Sequence, residues 1–161
     1  MTNKITIRKA IQNDIPYIQK VAKETWHNTY DGLIPREIQD EFISRAYSDE
    51  TMKAKVEHSI LFVAELKGEI VGYSNFFTDG ERADLGAIYI LPHAQGKGVG
   101  TMLLDAGIKE LKQFDRIFVE VEKGNTVGEQ FYEAKGFELI EEYDEDFFGY
   151  MLKTKRMALN I

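Results

Sequence analysis

The chain has 161 residues, 43% hydrophobic and 29% charged, and its 27 acidic against 20 basic residues give a formal net charge of −7. That length buries one substantial core and the acidic balance repels nucleic acid and anionic lipid, so a single domain over 1–161 with neither partner is expected. The absence of cysteine excludes disulfides, thiolate metal ligands and any acyl group carried on a cysteine.

Residues 4–9 alternate polar and apolar as a strand does, and Asn13 or Asp14 is suited to cap a following helix that tolerates Pro16 in its first turn. Ile15, Ile18, Val21 and Ala22 recur at helical spacing as far as the aromatic stretch Trp26 to Gly32. Further helices are expected from Pro35 through Ile43 and from Asp49 to His58. From Ile60 the period changes. Leu61–Leu66 and Ile70–Phe77 flank a Lys67-Gly68 turn, and a third strand from Ala83 to Leu91 follows Asp79-Gly80-Glu81, so three antiparallel neighbours are expected.

Pro92 stops that third strand, and beyond a glycine-rich turn the residues Gly100, Leu103, Leu104, Gly107, Ile108 and Leu111 define a helix. The strand Arg116 to Val121 completes a parallel crossover. A helix from Thr126 to Lys135 closes at Gly136, and two last strands run from Phe137 to Lys155. This order mixes parallel and antiparallel pairing, so the class is α/β in the mixed α+β sense and not a doubly wound sheet. His27, His58 and His93 are too dispersed for a metal cluster, and no metal is expected. No apolar run reaches membrane-spanning length and Met1 to Arg8 alternates where a leader would be apolar, so no membrane association and a cytoplasmic location are expected.

The turn Gln95-Gly96-Lys97-Gly98-Val99-Gly100-Thr101 lies between a strand and a helix whose first amides lack internal partners. Glycines let a phosphate approach the backbone, and the helix N-terminus supplies N–H donors and a favourable dipole, with Lys97 as added charge. The nucleoside-triphosphate loop Gly-x-x-x-x-Gly-Lys-Ser/Thr is absent, and a dinucleotide Gly-x-Gly-x-x-Gly that begins at Gly96 fails at Thr101.

With Gln95, Gly98 and Gly100 matching Gln/Arg-x-x-Gly-x-Gly/Ala after Ile88 to Pro92, the sequence resembles the GNAT N-acetyltransferase family. The resemblance continues in Asn125-x-x-Gly128-x-x-Phe131-Tyr132-x-x-x-Gly136-Phe137, where glycine replaces the usual alanine at 128. It implies a central, mostly antiparallel sheet flanked by helices, with two splayed parallel strands between which acetyl-coenzyme A lies. By resemblance the backbone of Ile88, Tyr89 and Ile90 pairs with pantetheine, and the amides of Gly96, Lys97, Gly98, Val99, Gly100 and Thr101 hold the pyrophosphate. Asn125 bonds pantetheine, a role its other reading as a helix cap does not exclude, and Phe131 packs on the cofactor.

The implied chemistry is direct acetyl transfer to a primary amine in a ternary complex. It needs a neutral amine, a held thioester and a proton donor for the departing sulfur. Tyr132 suits the last role, since a phenol with an ordinary pKa near ~10 is protonated at neutral pH. Glu120 or Asp84 is the candidate base, each also readable as a solvated charge. Trp26, Tyr30 and Asp31 form a candidate acceptor clamp, because aromatic faces and carboxylates attract ammonium groups. With the acidic balance this favours a polyamine-like small amine, and a protein or peptide amine stays open. So do a coenzyme A sensor without turnover, an acyltransferase with another acyl donor, and assembly as a homodimer.

Overall fold

A strand buried on both faces is apolar at consecutive positions, whereas one with a solvated face alternates. Leu61–Ala64 and Ile70–Phe76 are continuously buried, which requires helices on both sides of them. The computed structural model describes residues 4–161, so Met1–Asn3 of the N-terminal alternation lie outside the described residues. The strands are β1 (Ile5–Lys9), β2 (Ile60–Leu66), β3 (Glu69–Asp79), β4 (Arg82–Ile90), β5 (Arg116–Glu122), β6 (Glu138–Phe147) and β7 (Tyr150–Asn160). The α-helices are α1 (Ile15–Tyr30), α2 (Arg36–Ala46), α3 (Asp49–His58), α4 (Val99–Glu110) and α5 (Thr126–Ala134).

The strands form one sheet in the order β1-β2-β3-β4-β5-β7-β6. Among the described residues only β4 and β5 run parallel, and the other neighbours are antiparallel. The helices cover the two faces as the buried strands require. On β3, Tyr73 bonds Tyr47 at the end of α2, whereas the Ser74 hydroxyl donates to the Leu103 carbonyl of α4. The mixed, mostly antiparallel architecture expected from the sequence is therefore present.

Two departures have local causes. A short 3₁₀ turn at Gln12–Asp14 precedes α1, and Asp14 does not cap α1 with its side chain. Its carboxylate instead accepts from the Ile11 amide at 2.8 Å and from the Arg8 guanidinium. The last strand also runs beyond Lys155 to Asn160, because Arg156–Asn160 pair with β5 from Glu120 back to Arg116.

One irregularity opens the sheet. Asn75 pairs with Ala87 but Phe76 pairs with Leu85, so Gly86 is an extra residue in β4. Such a bulge bends its strand away from its neighbour. The β4–β5 ladder covers Ala83–Leu85 against Ile117–Val119 and stops immediately before the bulge. A side chain at 86 would meet Phe77, since a Cβ there would lie 2.4 Å from the Phe77 ring. Glycine thus permits both the bend and the close packing behind it.

Candidate active site

The splay between β4 and β5 produces a cleft of about 450 Å³. From Gly86 to Ile90, β4 keeps β3 on one edge and among the described residues has no strand on the other. Its backbone polar groups on that edge are therefore available to an extended ligand. The Ile90 carbonyl accepts from the Gln95 side chain at 3.0 Å, which ties the start of the glycine turn to the strand end.

Gly96 and Gly98 both have left-handed backbones, with φ of 77° and 81°, a conformation costly for other residues. Gly98 is the N-terminal cap of α4, and the first helical bond runs from the Met102 amide to its carbonyl. The amides of Val99, Gly100 and Thr101 precede that bond and remain for a ligand. A Cβ at Gly100 would come within 2.9 Å of the Phe131 ring, so glycine here lets α4 and α5 close over one end of the cleft. Lys97 lies apart from the cleft and lines a shallow depression with Lys67, Glu69 and His93.

Asn125 caps α5, its side-chain oxygen accepting from the Gly128 amide at 3.0 Å. A Cβ at 128 would lie 2.7 Å from the Asn125 amide nitrogen, so a larger residue there would make the Asn125 side chain shift. Asn125, Phe131 and Tyr132 all line the cleft. The Tyr132 ring packs edge-on against Phe131 and Phe137, while its hydroxyl makes no hydrogen bond among the described residues. Burial, and secondarily the charge of Glu122, raise its pKa above the ordinary phenol value.

The carboxylates sort by strand register. On β5, Ile117, Val119 and Val121 are buried in the core while Glu120 and Glu122 share the alternate face, and both glutamates line the cleft. Glu120 is exposed and 4.0 Å from Arg156. Glu122 lies deeper than Glu120, partly buried on the same face, and burial pushes its pKa up to about 7. Glu145 on β6 adds like charge to both. Asp84 does not line the cleft and accepts from Arg82 at 3.0 Å. Its position on the still-paired part of β4 is the reason.

Of the candidate acceptor clamp, only Tyr30 lines the cleft, with its hydroxyl 2.9 Å from that of Tyr89. Trp26 is sealed in an aromatic cluster, stacked on Phe42 at 4.5 Å between centroids. Asp31 points outward to Arg36 and Gln39, and the Arg36 guanidinium holds its carboxyl below the usual range. Thr25 and Thr29 on α1, Lys135 after α5, and Glu122 line the cleft without having been singled out in the sequence. Glu122 was accessible to the same alternation that selects Glu120, but the expected strand stopped at Val121.

The sequence and fold that build this cleft are matched by known proteins. The acetyltransferase (GNAT) family model matches residues 19–137. The chain belongs to the GNAT acetyltransferase family. Its relatives include an uncharacterized N-acetyltransferase of Bacillus subtilis, 30% identical over 92% of this chain and 89% of its own. Another is a spermidine N(1)-acetyltransferase of Thermoplasma acidophilum, 30% identical over 89% of this chain and 94% of its own. Among solved structures, the PaiA N-acetyltransferase of Thermoplasma acidophilum in complex with coenzyme A has a TM-score of 0.84 and 25% identity, covering 98% of this chain and 99% of that one.

The general activity of this GNAT chain is acetyl-coenzyme A dependent acyl transfer to an amine. Its own geometry is compatible with that cosubstrate: the open edge of β4 and the unpaired first amides of α4 border the same cleft. Among the described residues no group of three or more side chains is arranged to hold a metal ion, and no helix is long and apolar enough to cross a membrane.

Proposed function

We propose that this chain acetylates a primary amine of a polyamine-like acceptor by direct attack within a ternary complex. The observation that carries the proposal is the convergence, in one cleft, of the free α4 amides, the open β4 edge, Tyr132 and Glu122. The amides from Gly96 to Thr101 hold the pyrophosphate, and the backbone of Ile88–Ile90 holds pantetheine and orients the thioester. Glu122, with a pKa near neutrality, takes a proton from the acceptor ammonium. The neutral nitrogen attacks the acetyl carbonyl carbon, the carbon–sulfur bond breaks, and the leaving sulfur takes a proton from Tyr132. The second proton on the new amide nitrogen leaves to solvent, and Tyr132 is reprotonated from solvent.

A cationic acceptor is supported by the net charge of −7, by the carboxylates Glu120, Glu122 and Glu145 near the cleft, and by the likeness to a spermidine N(1)-acetyltransferase. The test of the chemistry is Tyr132→Phe, which keeps the buried ring and removes the donor. General acid catalysis contributes about 10²–10⁴-fold. Because burial makes this phenol a weaker acid than a free one, the loss expected in single-turnover acetylation is toward the low end, with acetyl-coenzyme A affinity unchanged. An unchanged chemical rate would make Tyr132 a packing residue only.

A further inference from the structure

The cleft is unevenly charged. Its two carboxylates, Glu120 and Glu122, both belong to β5, and among the described residues Lys135 is the only basic side chain on its wall. Lys135 stands at the C-terminal end of α5, four residues after Phe131, so the two side chains share a face of the helix. The Lys135 ammonium lies over the Phe131 ring, 5.8 Å from its centroid, and the side chain is half-buried. Several lysines of this acidic chain find carboxylates, as Lys9 finds Glu110, Lys123 Glu142 and Lys155 Glu129. Lys135 has no carboxylate within ion-pair reach among the described residues.

Phe131 relates this cation to the glycine turn. A Cβ on Gly100 would come 2.9 Å from Cε1 of the ring, so the ring edge abuts the first turn of α4 while its face carries the ammonium. Lys135 therefore stands at the same end of the cleft as the free amides of Val99, Gly100 and Thr101, one ring away from them. Lys97, the cation nearest those amides in sequence, lines a different depression with Lys67, Glu69 and His93. Coenzyme A carries a pyrophosphate, which the α4 amides and helix dipole match. It also carries a monoester on the ribose 3′ oxygen, close to dianionic at neutral pH and able to accept from an ammonium. The net charge of −7 repels both.

We propose that Lys135 recognises the 3′-phosphate of coenzyme A and makes the cleft selective for coenzyme A over 3′-dephospho-coenzyme A. The proposal rests on the reading of the α4 turn as the pyrophosphate site. With those amides occupied, the phosphate left for a cation one ring away is the monoester. The Phe131 ring holds the lysine in place before the ligand arrives, which limits the entropy lost on binding. A cation at a helix C-terminus also complements the dipole. That structural duty shows in the stability of the ligand-free protein and is blind to the ligand's phosphates.

The experiment is calorimetric titration of coenzyme A and of 3′-dephospho-coenzyme A into wild type, Lys135→Met, Lys135→Arg and Lys97→Met, beside the melting temperature of each protein without ligand. Methionine keeps the unbranched stem over the ring and removes the charge. Wild type is expected to bind coenzyme A about 5–10-fold tighter than the dephospho form, and added salt to shrink that ratio. In Lys135→Met, coenzyme A affinity should fall to that of the dephospho form, whose own binding stays as in wild type. Lys135→Arg and Lys97→Met should keep the discrimination. An unchanged ratio in Lys135→Met, or equal weakening of both ligands, would overturn the proposal and leave the pyrophosphate site standing. Failure of wild type to bind either ligand would overturn the cosubstrate reading and the proposal together.

Discussion

Glu122 allows a residue-scale prediction that needs no substrate. Its carboxyl has an ordinary value of 4.5 and a folded value of about 7, chiefly through burial. Between these the folded state binds more protons than the unfolded one, so this group's contribution to stability falls as pH rises. The cost is absent below 4.5 and fully present above about 7. Glu122→Gln, which removes the ionisation and keeps the shape, should melt higher than wild type at pH 8, by at most about 3 kcal/mol at roughly 1.4 kcal/mol per unit. That advantage should vanish near pH 4.5. Asp14 has the opposite sign, since the Arg8 guanidinium lowers its carboxyl, but it is common to both proteins and cancels in the difference. A constant difference in melting temperature across this range would show that Glu122 is not buried as described. Placement on the cleft wall was legible where spacing along one helix sets it, as for Asn125, Phe131 and Tyr132. It was not legible where strand pairing or a local ion pair keeps a carboxylate away, as the β4–β5 ladder does for Asp84 and Arg36 for Asp31.

At the scale of elements, the glycines separate into those that shape the backbone and those that make room. Gly98 belongs to the first group, with φ of 81°, and its strand-to-helix turn could be read from composition because few residues other than glycine adopt that conformation. Gly107 belongs to the second. A Cβ there would lie 2.1 Å from the ring of Phe76, which is fully buried. Gly107→Ala gains about 1 kcal/mol in helix propensity but overpacks the α4–β3 contact, at about 1–3 kcal/mol or more where the neighbour cannot move. The clash should win, giving a lower denaturation midpoint. An unchanged or raised midpoint would mean that α4 can shift away from β3. The bulge at Gly86 was hidden for a different reason: a single strand contains no information about which partner residue it skips, and the offset appears only when Asn75 and Phe76 are paired with Ala87 and Leu85. The splay that forms the cleft was therefore implied by resemblance and not by pattern.

On the scale of the whole molecule, strand and helix order was legible because hydrophobic period changes sharply at Ile60 and again after the glycine turn. The acceptor was less so, because it depends on which charges converge, and net charge does not report convergence. In the fold, Glu120, Glu122 and Glu145 come together from β5 and β6 near the cleft, whereas Asp31 faces away. Charges at a partly exposed mouth are screened by salt, so added salt should raise the apparent KM for a polycationic acceptor more than for a monoamine. The most direct measurement is the initial rate of coenzyme A release from acetyl-coenzyme A across a panel of spermidine, a neutral-bodied monoamine and an acidic amino compound. The account predicts turnover ranked by acceptor cationic charge, with spermidine first and the acidic compound last. Equal rates across the panel, or preference for the acidic compound, would contradict it.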